Sequence, residues 1–314
     1  MEFSGKLSII IPCFNEEAVI EKTHKRVLAV LSNNNIESYE IVYINDGSKD
    51  RTFEILTSFS ADNSKIKIID LSRNFGHQAA LSAGIHNCSG DIAIIIDADL
   101  QDPPELIPEL IETYQKEKCN VVYCVRKKRI GETWLKKITA KIFYRVIEKI
   151  CDTPIPKDTG DFRLIDREVM GEFKKLKEQN KFIRGLISWL GFKQVPFYFE
   201  RENRKEGDTK YSVSKMLKFA LNGITYFSDR PLFWAFKLAI INLFLFITSV
   251  VVFFFLKSIV PISAELFNGL IITVIFFLSG LNFFIFGIMG VYLKNVFDEL
   301  KDRPEFIIRE IING

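Results

Sequence analysis

The stretch Ile94-Ile95-Ile96-Asp97-Ala98-Asp99-Leu100-Gln101-Asp102 decides how this chain is read. Three consecutive isoleucines run into carboxylates spaced D-x-D, and Pro103-Pro104 stops the extended run behind them. An apolar run of this kind suits a strand covered on both faces, as in a parallel sheet. Ligands of such sheets bind beyond the carboxyl ends of the strands. Two acids delivered there therefore read as a holder for a divalent cation and a phosphate-bearing ligand.

Working outward, Leu7 to Val125 alternates apolar β-rich runs with helical stretches. The pairs are Leu7 to Ile11 with Glu16 to Leu31, Glu40 to Ile44 with Arg51 to Ala61, Ile66 to Leu71 with His77 to His86, and Asp91 to Ile96 with Pro104 to Glu117; Val121 to Val125 closes the series. Strands alternating with helices of ten or more residues predict an α/β fold with a mostly parallel, doubly wound sheet. Residues 152 to 200 form a mixed segment that ends in an edge strand, Gln194 to Glu200.

The remaining length has a different character. Leu238 to Leu256 and Leu266 to Leu293 contain no charged residue. At about 1.5 Å per helical residue, each is long enough to cross a hydrocarbon core of roughly 30 Å. Lysines and arginines flank the pair (Lys218, Arg230 and Lys237 before; Lys294, Lys301, Arg303 and Arg309 after), while the connector carries one lysine. The positive-inside rule then predicts both termini in the cytoplasm of a cytoplasmic-membrane protein. Between sheet and spans, Arg126 to Lys149 holds nine basic residues against two glutamates, beside an apolar stripe of Trp134, Ile138, Ile142, Val146 and Ile150. That pattern predicts a helix at 131–150 lying in an anionic interface, or else packing on the sheet. The expected organisation is a catalytic domain at 1–230, a membrane domain at 231–293 with spans at about 235–256 and 267–293, and a tail at 294–314.

Composition narrows the function classes. A net charge of +3 is too small to argue for nucleic acid. The five cysteines, Cys13, Cys88, Cys119, Cys124 and Cys151, lack close C-x-x-C or Cys/His metal spacing and read as reduced packing thiols. Neither G-x-G-x-x-G after the first strand nor G-x-x-x-x-G-K-[ST] is present, which excludes the Rossmann and P-loop signatures.

Polar groups instead gather at three strand ends: Pro12-Cys13-Phe14-Asn15-Glu16-Glu17, Asn45-Asp46-Gly47-Ser48-x-Asp50-x-Thr52, and Asp97-Ala98-Asp99. In this order and spacing the chain resembles glycosyltransferase family 2, whose fold is the nucleotide-diphospho-sugar transferase fold GT-A. Four further segments narrow the resemblance to the polyprenyl-phosphate glycosyltransferases, the group of the dolichyl-phosphate mannose synthases and GtrB-like glucosyltransferases. They are Ser72-Arg73-Asn74-Phe75-Gly76-His77-Gln78, Asp97 through Glu105, Gly160-Asp161-Phe162-Arg163-Leu164, and Arg201-x-x-Arg204-x-x-Gly207-x-Thr209-Lys210-Tyr211.

The resemblance implies an inverting hexose transfer from a nucleotide sugar, UDP-glucose before GDP-mannose or another UDP-sugar, to a polyprenyl phosphate. It implies that Asp46 grips the nucleoside above a turn containing Pro12, Asn15 and Glu17. Asp97, Ala98 and Asp99 would meet the diphosphate, with Asp97, Asp99 and Gln101 holding Mg²⁺ or Mn²⁺. Asp161 falls at the position discussed as a base. Because a lipid monophosphate is already largely ionised at pH 7, a strong base is dispensable and cations matter more. The implied cations are Arg126 and Arg129 for the acceptor phosphate and Arg201, Arg204 and Lys210, with Tyr211, in a loop closing on the donor. Two positions depart from the family pattern: Asn45 stands where many relatives have Asp, and Thr209 where Ser is usual. His77 is equally readable as a base or as a capping or packing residue. A homo-oligomer is expected, packed through Gly280, Gly287 and Gly290 of the second span. The rival readings are a processive polysaccharide synthase, for which more spans and a Gln-x-x-Arg-Trp motif would be needed, and a non-catalytic membrane scaffold.

Overall fold

A computed structural model describes residues 3–126, 156, 159–179, 181–200, 230–259 and 264–314. Among these, the sheet-bearing residues and the segment from 303 onward form one compact unit, and residues 230–302 form a second.

The first unit is built on an eight-stranded sheet. In chain order it contains β1 (Leu7–Cys13), α1 (Ile20–Asn33), β2 (Tyr39–Asn45), α2 (Thr52–Asp62), β3 (Ile66–Leu71), α3 (His77–Asn87) and β4 (Ile92–Ile95). A single 3₁₀ turn at Pro104–Leu106 leads into α4 (Ile107–Glu117), followed by β5 (Val121–Arg126), β6 (Thr159–Asp166), α5 (Arg167–Phe173), α6 (Ile183–Trp189) and β7 (Gln194–Phe199). The sheet order is β7-β5-β6-β4-β1-β2-β3, with one more strand beyond β3. Strands β4, β1, β2 and β3 run parallel, β5 and β7 are parallel to each other, and β6 is antiparallel to both of its neighbours. This is the mostly parallel α/β sheet that the alternating pattern predicts, with Gln194–Phe199 at the edge as expected.

The local reason is burial on both faces. Every residue of β1 and β4 is buried, and the register sets Ile9 beside Ile41 and Ile94, and Ile10 beside Val42 and Ile95. Each such isoleucine removed from water contributes roughly 1.5–3 kcal/mol. The same register levels the ends of three strands, with Cys13 beside Asn45 and Asn45 beside Asp70. The loops carrying the polar motifs therefore leave the sheet along one edge. Cys13, Cys88, Cys119 and Cys124 are free and buried, as packing thiols; Cys151 lies outside the described residues.

Two strands depart from the sequence reading. The mixed segment holds β6, whose apolar pattern is broken by the buried charged residues Asp161 and Arg163. The stretch expected as a tail carries β8 (Ile308–Ile312), antiparallel to β3 at the other sheet edge. A five-residue strand whose partner lies some 240 positions earlier leaves no local signal. Arg309 secures it, donating to the buried Asp70 Oδ2 (3.0 Å) and to Ser72 O (2.9 Å), while Asp70 Oδ1 accepts from Asn45 Nδ2 (2.6 Å).

The second unit consists of α7 (Arg230–Ile259) and α8 (Ala264–Leu300). Both are long and apolar enough to cross a membrane, over Leu232–Phe255 and Phe267–Leu300. Phe244, Phe254, Phe276 and Phe283 are among many large apolar side chains exposed along them. Past residue 293, α8 turns polar: Lys294 and Lys301 both pair with Asp298 (2.6 and 2.9 Å). The expected interfacial helix at 131–150 lies outside the described residues.

Candidate active site

The turn after β1 and the loop after β2 are tied to each other. Asn15 N–H donates to Ser48 Oγ (3.0 Å), Lys49 N–H to Asn15 Oδ1 (2.8 Å), Glu16 N–H to Thr52 Oγ1 (2.8 Å) and Arg51 N–H to Glu17 Oε2 (3.0 Å). Asn15 sits at φ 55°, a conformation that Asn tolerates better than most residues. Asn15 and Glu17 thus shape one rigid wall, starting from the buried Pro12.

Asp46 is 2% exposed and anchors the next loop. Its Oδ1 accepts from Phe75 N–H (2.7 Å), and its Oδ2 accepts from Gly76 N–H (3.0 Å) and Asn74 Nδ2 (2.9 Å). Expected to hold a nucleoside, this carboxylate is engaged on both oxygens by residues 74–76. Its donors are neutral, and burial pushes its pKa up despite the bonds from Phe75 and Gly76. Gly47, at φ 62°, lets the Arg73-Asn74 backbone pass closely: a Cβ there would lie 2.4 Å from Arg73 C. The loop so fixed starts α3, which carries His77 and Gln78.

Those two residues reach the strand that sequence reasoning missed. His77 Nε2 donates to Asp161 Oδ2 (3.1 Å) and lies 3.7 Å from Asp97 Oδ1, linking the D-x-D motif to β6. Gln78 Nε2 donates to the same Oδ2 (3.2 Å), its amide oriented by Ile183 N–H on Oε1 (2.9 Å). Arg184, on α6, brings Nη2 to Asp161 Oδ2 (3.2 Å) and Nη1 to Thr159 O (2.9 Å). Buried Arg163 donates to Gly160 O (2.9 Å) and Asp161 O (3.3 Å). Arg126, at the end of β5, lies against Gly160, where a Cβ would come 2.8 Å from Arg126 Nη2. The Gly160-Asp161 pairing thus admits a guanidinium that any larger residue would displace.

Asp161 is 6% exposed. Burial pushes its carboxyl pKa up, but the Arg184 charge and the His77 hydrogen bond more than offset this and hold it well below the usual carboxylate range. For His77, burial pushes the imidazole down, yet the bond to Asp161 and the charge of Asp97 take it up to about 9. This corner concentrates positive charge around two carboxylates, a field suited to phosphate anions.

Asp97 and Asp99 are half-buried, and Thr23 Oγ1 holds the buried Ala98 between them by its carbonyl (2.8 Å). Gln101 N–H donates to Asp99 Oδ1 (3.1 Å). Among the described residues no group of three or more His, Cys, Asp or Glu forms a metal cage. The hard oxygens of Asp97 and Asp99 fit a site in which a substrate diphosphate and water supply the other ligands, the habit of Mg²⁺ and Mn²⁺.

The structure thus brings Asp97, Asp161 and Arg126 to one region, and shows Asp46 bonded to residues 74–76. Arg129, Arg201, Arg204, Lys210 and Tyr211 lie outside the described residues. Gln78, Arg163 and Arg184 escaped sequence reasoning. The first two sit inside quoted motifs, where their types were the available signal; Arg184 sits in a segment with none. His24 and His86 are packing residues. His24 Nδ1 meets Tyr43 Oη (2.9 Å) and its ring stacks on Phe59; His86 Nδ1 donates to Ser82 O (2.8 Å).

The family model for glycosyl transferase family 2 matches residues 8–173. An uncharacterised glycosyltransferase of Bacillus subtilis, YkcC, is 46% identical over 308 residues, 96% of this chain and 93% of its own. The prophage bactoprenol glucosyl transferase homolog of Escherichia coli is 36% identical over 98% of this chain and 99% of its own. The bactoprenol glucosyl transferase of Shigella phage SfV is 36% identical over 97% and 98%.

Proposed function

For a chain that belongs to glycosyltransferase family 2, we propose transfer of glucose from UDP-glucose to a polyprenyl phosphate, with inversion at the anomeric carbon and release of UDP. What supports this acceptor is a likeness that runs through the apolar helices as well as the sheet: relatives named for bactoprenol match over nearly their whole length. The charge balance at the site agrees with it. His77, Arg126, Arg163 and Arg184 gather near Asp161 and Asp97, as needed where an anionic phosphate attacks a sugar leaving on a second, larger phosphate.

Asp97 and Asp99, with Gln101, would hold Mg²⁺ or Mn²⁺, which when bound offsets charge on the departing diphosphate. The walls built by Pro12, Asn15 and Glu17 and by the Asp46-anchored loop would seat the nucleotide. Arg126 and Arg129 would meet the acceptor phosphate, and Arg201, Arg204, Lys210 and Tyr211 would close over the donor and exclude water. A general base is unnecessary for an acceptor already ionised at pH 7.

α7 and α8 would cross the cytoplasmic membrane as a hairpin. That β8, after the second helix, joins the same sheet as β1 supports a hairpin with both ends on one side. The flanking lysines and arginines favour the cytoplasmic side. A homo-oligomer packed through α8 completes the proposal.

The test is transfer of label from UDP-[¹⁴C]glucose to detergent-solubilised undecaprenyl phosphate with Mn²⁺, beside GDP-mannose and other UDP-sugars. Label partitioning into the organic phase from UDP-glucose is expected. Label in long water-soluble polymer would replace this reading with that of a polysaccharide synthase, and no metal-dependent turnover with any donor would favour a scaffold.

A further inference from the structure

The two oxygens of Asp161 stand in opposite circumstances. Oδ2 receives three donors, from His77, Gln78 and Arg184, at 3.1 to 3.2 Å. Oδ1 is buried and has no hydrogen-bond partner among the described residues. A buried anionic acceptor without a donor costs about 1–3 kcal/mol or more, so such an atom is rarely left open unless something fills it. The three donors come from the start of α3 and from α6, and Gln78 is itself held by Ile183 N–H, so the carboxylate cannot rotate to exchange its oxygens without breaking the set.

The missing partner must be a donor. A phosphate dianion offers only acceptors and would be repelled. A metal ion is disfavoured by the cations already on Oδ2. Position narrows the choice, because His77 joins Asp161 to Asp97, the residue that the proposed reaction puts at the diphosphate, which sets this carboxylate beside the sugar–phosphate end of the donor. Resting on the proposed reaction, we infer that Asp161 Oδ1 accepts a hydrogen bond from one hydroxyl of the donor hexose, with Arg184 as the positioning residue that fixes it, so that this carboxylate selects the sugar rather than taking a proton. The pKa of Asp161, held below the ordinary carboxylate range, agrees with a permanent acceptor. His77 is the more open side of this set, with 44% of its side chain exposed against 21% for Arg184.

UDP-glucose and its 2-, 3-, 4- and 6-deoxy analogues, assayed with the full-length wild type, Asp161→Ala and Arg184→Met, test this. One deoxy analogue is expected to lose at least about a hundredfold in kcat/KM with wild type, since sites built to bond a hydroxyl reject its absence strongly. In Asp161→Ala that penalty should shrink below about threefold, and in Arg184→Met it should fall partway with Kd for UDP unmoved. The same panel, read as Kd from calorimetry with Mg²⁺, covers variants that fold but do not turn over; Arg184→Met serves if Asp161→Ala does not fold. A wild type indifferent to every deoxy position, or a penalty unchanged by both substitutions, overturns the inference. Failure of lipid transfer alongside a penalty that persists in binding would sink the acceptor assignment and leave the hydroxyl contact standing.

Discussion

The two halves of the sheet handle buried carboxylates in opposite ways. On the β1-β2-β3 side, Asp46 and Asp70 have both oxygens bonded within the protein, Asp46 to neutral donors on residues 74–76 and Asp70 to Asn45 and Arg309. On the β4-β6 side, Asp161 has one oxygen crowded by two cationic side chains and an amide, and the other open. The first half is a finished network whose work is to hold loops. The second leaves one carboxylate oxygen without a bond among the described residues, and under the proposed function that is where the substrate would act. Substitutions in the open half should therefore change rates, and those in the closed half should change stability.

The hardest test of that division is Asp99→Asn. If the D-x-D motif holds the ion, transfer should fall at least about a thousandfold, roughly 4 kcal/mol of transition-state stabilisation, with an unchanged melting curve. Near-normal turnover in a metal titration would end the metal assignment. Asp46→Ala should act in the other currency, unfolding at lower denaturant by about 2–4 kcal/mol because three donors to a buried carboxylate lose their acceptor. A variant of normal stability that binds UDP poorly would move Asp46 to the substrate-binding half.

A smaller effect is expected at the C-terminal strand. Arg309→Met leaves Asp70 without its cation, but the arginine is largely exposed, so about 1–2 kcal/mol of destabilisation by denaturant titration is reasonable. No loss there would mean that β8 pairs through its backbone alone.

The smallest effect is on pH dependence. Burial pushes the His24 imidazole down from 6.5 to about 4 against Tyr43 and Phe59. Below pH 6.5 the unfolded chain binds a proton that the folded one refuses, so stability falls as pH drops from 6.5 towards 4. Between pH 7 and pH 5.5, above the range where Glu40 titrates, His24 should account for a loss of roughly 1 kcal/mol that is absent in His24→Gln. A slope that the substitution leaves unchanged would place the titrating group elsewhere.

The order of strands and helices through Val125, the D-x-D strand end and the paired apolar helices were legible in sequence, because each is a local pattern. Periodicity follows from backbone geometry, and a run of isoleucines bounded by Pro and acids has few other uses. What could not be read was which acid does what. Asp46 and Asp161 are both buried aspartates at the second position of a short motif, and nothing near either in sequence tells that one meets backbone N–H groups and the other meets Arg184.

Partnership across long sequence separations was decided only in three dimensions. β8 lies about 240 residues from β3, and His77 lies 84 residues from the carboxylate it contacts. Sequence determined the elements, since burial and backbone preference act within a few residues. Tertiary structure decided the site, because a carboxylate's charge, orientation and unfilled valence depend on which donors the folded chain places around it.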